Sequence, residues 1–68
     1  MKNWKFFTDY QLLINLDNVS IFQINETKEG LFAVNAAFNN GQTLIVALRD
    51  NRESCEDLID DIMGINND

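Results

Sequence analysis

The side chains most capable of metal binding or catalysis lie between positions 53 and 61. A single cysteine lies among five carboxylates there: Glu53, Glu56, Asp57, Asp60 and Asp61. Carboxylates can hold a divalent cation or act as general acid and base. The stretch has no Asp-x-Asp-x-Asp-Gly loop with a distal glutamate, which a calcium site of that type needs. A charge run without ligand spacing is usually solvated, so we interpret these residues as an acidic surface and predict no metal.

Covalent or acid–base catalysis lacks its usual residues in this sequence. The chain contains no histidine, the commonest general base. Cys55 falls in the first turn of a predicted helix, where a thiol pKa can be lowered, but acidic neighbours oppose that effect. Because Cys55 lies on the apolar face of that helix, we predict a buried, small hydrophobic residue. Phosphate-loop and dinucleotide motifs are also missing, so neither an enzyme nor a cofactor is predicted.

A helical repeat of apolar residues positions this acidic surface. The residues that share one helical face are Cys55, Leu58, Ile59, Ile62 and Met63. We predict a helix over residues 54–64. Ser54 would be the N-cap and Asp57 would occupy the N3 position of a capping box, while Gly64 would end the helix.

The stretch from 31 to 49 predicts a β-hairpin, with strands over residues 31–38 and 43–49. Asn40-Gly41 between two apolar runs indicates a two-residue type I′ turn. That turn would place Ala36 opposite Ile45 and Val34 opposite Ala47. The other side of the hairpin would then carry mainly small and aliphatic residues, namely Ala33, Ala37, Leu44, Val46 and Leu48.

Both faces of this predicted hairpin are largely apolar, which is typical of a strand pair covered on both sides. A short helix can cover only one of them, so we expect a second copy of the protein to cover the other. The predicted interface consists of the five residues just listed together with Trp4 and Phe6 of an aromatic first strand.

The remaining segments predict three more strands, over residues 3–7, 10–16 and 19–24, separated by short polar turns. The predicted fold class is α+β, in one domain spanning residues 1–68. We expect a four- or five-stranded antiparallel meander with the C-terminal helix packed on one face, in the order β-β-β-β-β-α.

Size and composition favour a protein that acts through contacts with other proteins. A chain of 68 residues buries only about 60% of its unfolded surface, and one cysteine cannot form an internal disulfide. A homodimer or larger homo-oligomer is therefore expected. The lone cysteine and the lack of a signal-peptide pattern predict a cytoplasmic location, and no apolar run is long enough to span a membrane.

The charge balance argues against direct binding of nucleic acid. Net charge is −6, and only five residues are basic, whereas phosphate-backbone binding depends on lysine and arginine clusters. Exposed aromatic residues can stack on single-stranded bases, but such surfaces also carry positive charge. An alternative is an inhibitor whose carboxylates imitate phosphates and block a nucleic-acid site on a target protein, such as a host-defence protein.

Three segments resemble small bacterial proteins of the flagellar FlbD type. They are Ile14-Asn15-Leu16-Asp17-Asn18-Val19, then Asn40-Gly41 before a strand, and Glu53-Ser54 at the start of an acidic amphipathic helix. The sequence departs from that family at Leu16, where proline is expected, and in its aromatic start. The resemblance implies a meander followed by a helix and no flagellar role. In their acidity and small size, such chains also resemble phage-encoded inhibitors of host defence.

Overall fold

The computed structural model describes residues 3–66, and the side chains of residues 3–64. Along the chain it contains five strands, a 3₁₀ turn and one helix. These are β1 (Trp4–Phe7), β2 (Leu12–Asn15), the 3₁₀ turn (Leu16–Asn18), β3 (Val19–Glu26), β4 (Phe32–Phe38), β5 (Thr43–Arg49) and α1 (Arg52–Asn66). Within the described part of the chain, no helix has the length and apolar character needed to cross a membrane.

The α+β class with a C-terminal helix is confirmed, but the single five-stranded meander is wrong. The strands form two antiparallel sheets, β1–β2 and β3–β4–β5. They separate at the 3₁₀ turn, where the Asn15 side-chain oxygen accepts a hydrogen bond of 3.0 Å from the amide of Asp17. The Leu16 amide also donates a hydrogen bond of 2.7 Å to the carbonyl of Asn3. The second strand therefore ends at Asn15, and β3 starts a new sheet.

The β4–β5 connection is a three-residue loop, Asn39-Asn40-Gly41. The Gly41 amide donates to the Phe38 carbonyl at 2.9 Å, and the Phe38 amide donates to the Gln42 carbonyl at 2.8 Å. Gly41 has a φ of +91°, whereas Asn40 is not left-handed. A type I turn followed by a left-handed glycine has this geometry. The predicted two-residue type I′ turn is therefore wrong.

The β3–β4 connection repeats the same construction with Lys28-Glu29-Gly30. The Thr27 amide donates to the Leu31 carbonyl at 2.8 Å, and the Gly30 amide donates to the Thr27 carbonyl at 3.1 Å. Gly30 has a φ of +83°, which glycine adopts without a steric cost. Both hairpins of the larger sheet thus depend on a glycine at the third loop position.

A bulge in β5 compensates for the extra loop residue. Near the loop, Ala36 faces Leu44 and Asn35 faces Ile45, one residue out of the predicted register. The pairing shifts between Val34 and Asn35, and beyond this point Val34 faces Ala47 as predicted. The extra residue is Val46, so Val46 and Ala47 are both buried although they are consecutive. Such doubling is what a β-bulge produces.

The core lies between the inner face of the larger sheet and a layer made by the first hairpin and α1. Phe7 is fully buried and its ring lies 6.2 Å from that of Phe22 in β3. Ile14 of β2 and Cys55 and Ile62 of α1 belong to the same cluster. The helix and the β1–β2 hairpin thus share one face of the sheet.

The helix begins earlier and runs further than predicted. The Asn51 side-chain oxygen accepts from the Ser54 amide at 2.8 Å, so Asn51 is the N-cap and the predicted Ser54 cap is wrong. Gly64 lies within the helix and does not end it. The Arg52 guanidinium lies 5.6 Å from the centre of the Phe32 ring, and this contact holds the first turn against β4.

Truncating Ile62 tests whether α1 is part of the core. Ile62 is buried, so Ile62→Ala should lower the free energy of unfolding by about 2–5 kcal/mol in urea denaturation. The neighbouring Met63 is 54% exposed, and Met63→Ala should change it by less than about 0.5 kcal/mol. Equal effects of the two substitutions would mean that the helix does not dock on the sheet.

Candidate interaction surface

The most conspicuous surface is the face of the larger sheet turned away from the helix, here called the outer face. Register partners share a side of the sheet, so the pairing identifies its members. They are Ile21, Gln23 and Asn25 of β3, Ala33, Asn35 and Ala37 of β4, and Thr43, Ile45 and Leu48 of β5. None of these nine residues carries a charge, although the chain as a whole has a net charge of −6.

Large aliphatic side chains on the outer face remain accessible to solvent. Ile21 is 48% exposed, Ile45 44% and Leu48 36%. Between them, the Asn35 side-chain amide donates to the Asn25 oxygen at 2.9 Å, which satisfies two polar groups within the face. The outer face is therefore a neutral, mainly apolar surface that no element of residues 3–66 covers.

The structure divides the predicted interface residues among three places. Ala33, Ala37 and Leu48 lie on the outer face, although Ala33 is itself buried. Leu44 and Val46 lie on the inner side, because the three-residue loop and the bulge reverse the predicted side in this part of β5. Val46 is fully buried within the core. The predicted interface did not include Ile45, which the three-residue loop and the bulge place on the outer face.

Trp4 and Phe6 lie on the outward side of the first hairpin, as the alternation in β1 predicted. Both are exposed, and Phe6 faces the exposed Leu13 across the β1–β2 pair. A cleft of about 310 Å³ begins at Trp4 and Leu13 and extends to Phe38 and Leu44. It adjoins a second, more polar cleft of about 540 Å³ at the Asn39-Asn40 loop. The hairpin aromatic residues thus form a surface separate from the outer face.

The predicted acidic residues all lie on α1 and are exposed: Glu53, Glu56, Asp57, Asp60 and Asp61. Asp61 forms an ion pair with Lys5 of β1, and this contact links the helix to the first hairpin. Within residues 3–66, no group of three or more cysteine, aspartate or glutamate side chains is arranged to hold a metal ion. The five carboxylates are thus exposed on the surface of α1, and that of Asp61 is paired with Lys5.

A polar contact that the sequence did not predict links the first hairpin to the end of β5, at the edge of the larger sheet. Asp9, in the β1–β2 loop, accepts from the Leu48 amide at 2.9 Å and from the Arg49 Nε at 2.8 Å. Its second oxygen accepts from Arg49 Nη2 at 3.1 Å. Forty positions separate Asp9 from Arg49, and no local pattern links them. We call this contact the Asp9 clamp.

The clamp also changes the acidity of its members. The hydrogen bond from Arg49 lowers the pKa of Asp9, burial opposes it, and the Leu48 amide adds to the lowering. The same bond raises the pKa of Arg49. Both groups are therefore charged at neutral pH, and the bidentate geometry fixes the first hairpin against β5.

Cys55 is a buried residue, as its position on the apolar helical face predicted. It is fully shielded from solvent, and its Sγ lies 3.6 Å from the carbonyl oxygen of Phe32. Burial raises the pKa of the Cys55 thiol, against a smaller lowering by Arg49 and Arg52. A buried thiol with a raised pKa is a poor nucleophile.

Comparison with known protein families, with curated protein sequences and with solved structures found no significant match. The resemblance to flagellar FlbD-type proteins therefore rests on the sequence pattern alone.

Replacing Asp9 tests the clamp through the pH dependence of stability. A carboxyl with a lowered pKa stabilises the fold above its unfolded pKa, here 3.8, and loses that contribution as the pH falls through its folded pKa. Asp9→Asn should lower the free energy of unfolding by about 1 kcal/mol at pH 7, since the contact is partly exposed. The two proteins should converge well below pH 3.8. The control is Asp60→Asn. If the free energy of unfolding of Asp9→Asn stays equally far below that of the wild type in acid, the ionic role of Asp9 is contradicted.

The thiol of Cys55 should report on opening of the core. In the native protein, an aromatic disulfide reagent at pH 8 should react slowly, because the sulfur is inaccessible. In urea the same reagent should modify one thiol per chain within the mixing time. Rapid and complete modification of the native protein would show that α1 does not stay packed on β4.

Proposed function

We propose that this protein is a small, non-enzymatic interaction module whose outer face binds another protein surface, first of all the outer face of a second copy. The observation that carries this proposal is the uncharged outer face, with its exposed Ile21, Ile45 and Leu48, in a protein of net charge −6. Exposed apolar patches of this kind usually mark interaction sites.

A second copy is the simplest partner for this surface. Two outer faces related by a two-fold axis would bring aliphatic side chains of one copy against those of the other. Neither copy would bury a charge, because the face has none. The added burial would also stabilise a chain that is too short to have a large core and that has no disulfide.

The non-enzymatic part of the proposal is supported by the side chains near the accessible surfaces. The chain has no histidine, its one thiol is buried, and the carboxylate with the lowered pKa is already bound by Arg49. We place the module in the cytoplasm, of a bacterium or of a phage-infected cell, where a single thiol would stay reduced.

The exposed carboxylates of α1 support a second candidate function. Five acidic side chains on one 15-residue helix form a surface that a basic groove could accept. The module would then block a nucleic-acid site on a target protein. Salt separates the two functions, because carboxylate-driven binding weakens at high ionic strength, whereas apolar self-association between two acidic copies should strengthen as their repulsion is screened.

Replacing Ile45 tests the outer face directly. We expect the wild-type mass from light scattering to exceed that of one chain and to fall on dilution. Ile45→Glu places a charge within the outer face and should lower the mass below that of the wild type, with an unchanged circular dichroism spectrum because Ile45 is exposed.

Met63→Glu is the matched control, since it adds the same charge at an exposed aliphatic position on α1 and should leave the mass unchanged. A wild-type monomer at all concentrations, or an Ile45→Glu protein with the same mass as the wild type, would overturn the use of the outer face for self-association.

A further inference from the structure

The two edge strands of the larger sheet, β3 and β5, differ in whether a side chain binds their outward backbone groups. At the β5 edge, the Asp9 clamp occupies the amide of Leu48 and holds Arg49 beside it. At the β3 edge, the eight-residue strand from Val19 to Glu26 pairs only with β4. The fold thus blocks one end of the β5 edge at Leu48 and Arg49, whereas within residues 3–66 no side chain occupies the β3 edge in this way.

The hairpin geometry shows which backbone groups of β3 face away from the sheet. The Thr27 amide points toward β4, since it donates to the Leu31 carbonyl. Backbone groups alternate along an antiparallel strand, so those of Asn25 and Gln23 also face β4. The amides and carbonyls of Phe22, Ile24 and Glu26 therefore face outward. Within residues 3–66, no hydrogen bond outside the β3–β4 ladder reaches these outward groups.

Exposed edges are normally protected by charge, proline or strong twisting. The run from Val19 to Asn25 contains no charged residue, no proline and no glycine. Its one irregularity is a register shift between Val19 and Ile21, which leaves the run from Ile21 to Glu26 regular. The ligand that satisfies such an edge is another extended strand, because only a strand offers donors and acceptors at the same spacing.

We propose that β3 pairs with β3 of a second copy, antiparallel and about a two-fold axis at Gln23, to form one six-stranded sheet. This inference rests on the proposed self-association and adds a contact different from the outer face. In a continuous sheet, inner residues must face inner residues. With the axis at Gln23, Phe22 lies opposite the partner's Ile24, and the regular run from Ile21 to Asn25 pairs with its own copy.

The sequence of β3 is complementary to its own reverse in this register. On the inner side, Phe22 faces the partner's Ile24 on both sides of the axis, so this contact is apolar. On the outer side, Gln23 faces its own copy, and Ile21 faces the partner's Asn25. The two carboxylates of Glu26 lie at opposite ends of the paired region, so like charges do not meet. A second copy therefore fits this edge without an unfavourable pair.

A cysteine at position 23 tests the pairing. Because the Gln23 backbone groups face β4, Gln23 and its copy would form a non-hydrogen-bonded pair with Cα atoms about 4.5 Å apart, within the range of a disulfide. Gln23 is exposed, so Gln23→Cys should fold. Under mild oxidation it should form a covalent dimer at least about tenfold faster than the control, a difference of roughly 1.4 kcal/mol in barrier. The native Cys55 is buried and should not compete.

Met63→Cys is the matched control, because Met63 is exposed on α1 and belongs to neither proposed contact. Ile45→Cys reports separately on the outer face. Ile45 lies in the same cross-strand row as Gln23, through Asn35, but two strands further from the edge. At about 4.8 Å per strand, the two copies of residue 45 would be too far apart to bond in the six-stranded sheet.

A second, independent test of the pairing measures the exchange of backbone amides with deuterium in the wild-type protein. The amides of Phe22 and Ile24 should exchange at least about tenfold more slowly at a concentration where the protein is associated than in dilute solution. The amide of Thr43 faces outward on β5, by the same alternation from Gln42, and should not change.

The outcomes separate this proposal from the proposed function. Cross-linking of Gln23→Cys with an Ile45→Glu protein whose mass equals that of the wild type would support the edge and overturn the outer-face contact. Rapid cross-linking of Ile45→Cys alone, with unprotected amides in β3, would overturn the edge and leave the outer-face contact standing. A monomeric protein in which neither cysteine cross-links would overturn both.

Discussion

The architecture depends on four side chains that meet where three pieces of the chain come together. Phe7 comes from the first hairpin, Val34 and Val46 from the larger sheet, and Cys55 from α1, and each is fully buried. In a protein of 68 residues, this single contact region must hold the sheet, the hairpin and the helix together. Because all three pieces converge on the inner face, nothing remains within residues 3–66 to cover the outer one. The exposed sheet surface is therefore a consequence of how the core is built.

The β4–β5 hairpin shows what the sequence could predict and where it failed. Asn-Gly between apolar runs correctly located the turn, but both a two-residue and a three-residue loop suit that pair. The longer loop displaced the register by one residue, and the bulge at Val46 restored it. Pairs beyond the bulge, such as Val34 with Ala47, were thus predicted correctly, although the sides of Leu44, Ile45 and Val46 were not. Apolar content alone could not show which of these side chains face the core, because both sides of this hairpin are apolar.

Asparagine side chains account for two of the other differences. Asn15 ends β2 by accepting from the Asp17 amide, and Asn51 starts α1 by accepting from the Ser54 amide. Both use the local backbone bonding for which asparagine is favoured at turns and caps. A hydrophobic period does not register such contacts, so the strands and helix were predicted with shifted ends. The Asp9 clamp could not be predicted from local sequence at all, because it depends on where the first hairpin packs against the larger sheet.

The distribution of charge connects the fold with both proposed contacts. Five of the eleven acidic residues lie on α1, while the outer face and the central part of β3 are neutral. Repulsion between two copies therefore acts from a distance and is screened by salt, with a Debye length of about 8 Å at physiological ionic strength. Contacts at the neutral surfaces are short-ranged and need no charge to be buried. Net charge can thus oppose nonspecific aggregation of an open, apolar strand while permitting a pairing that aligns the neutral surfaces.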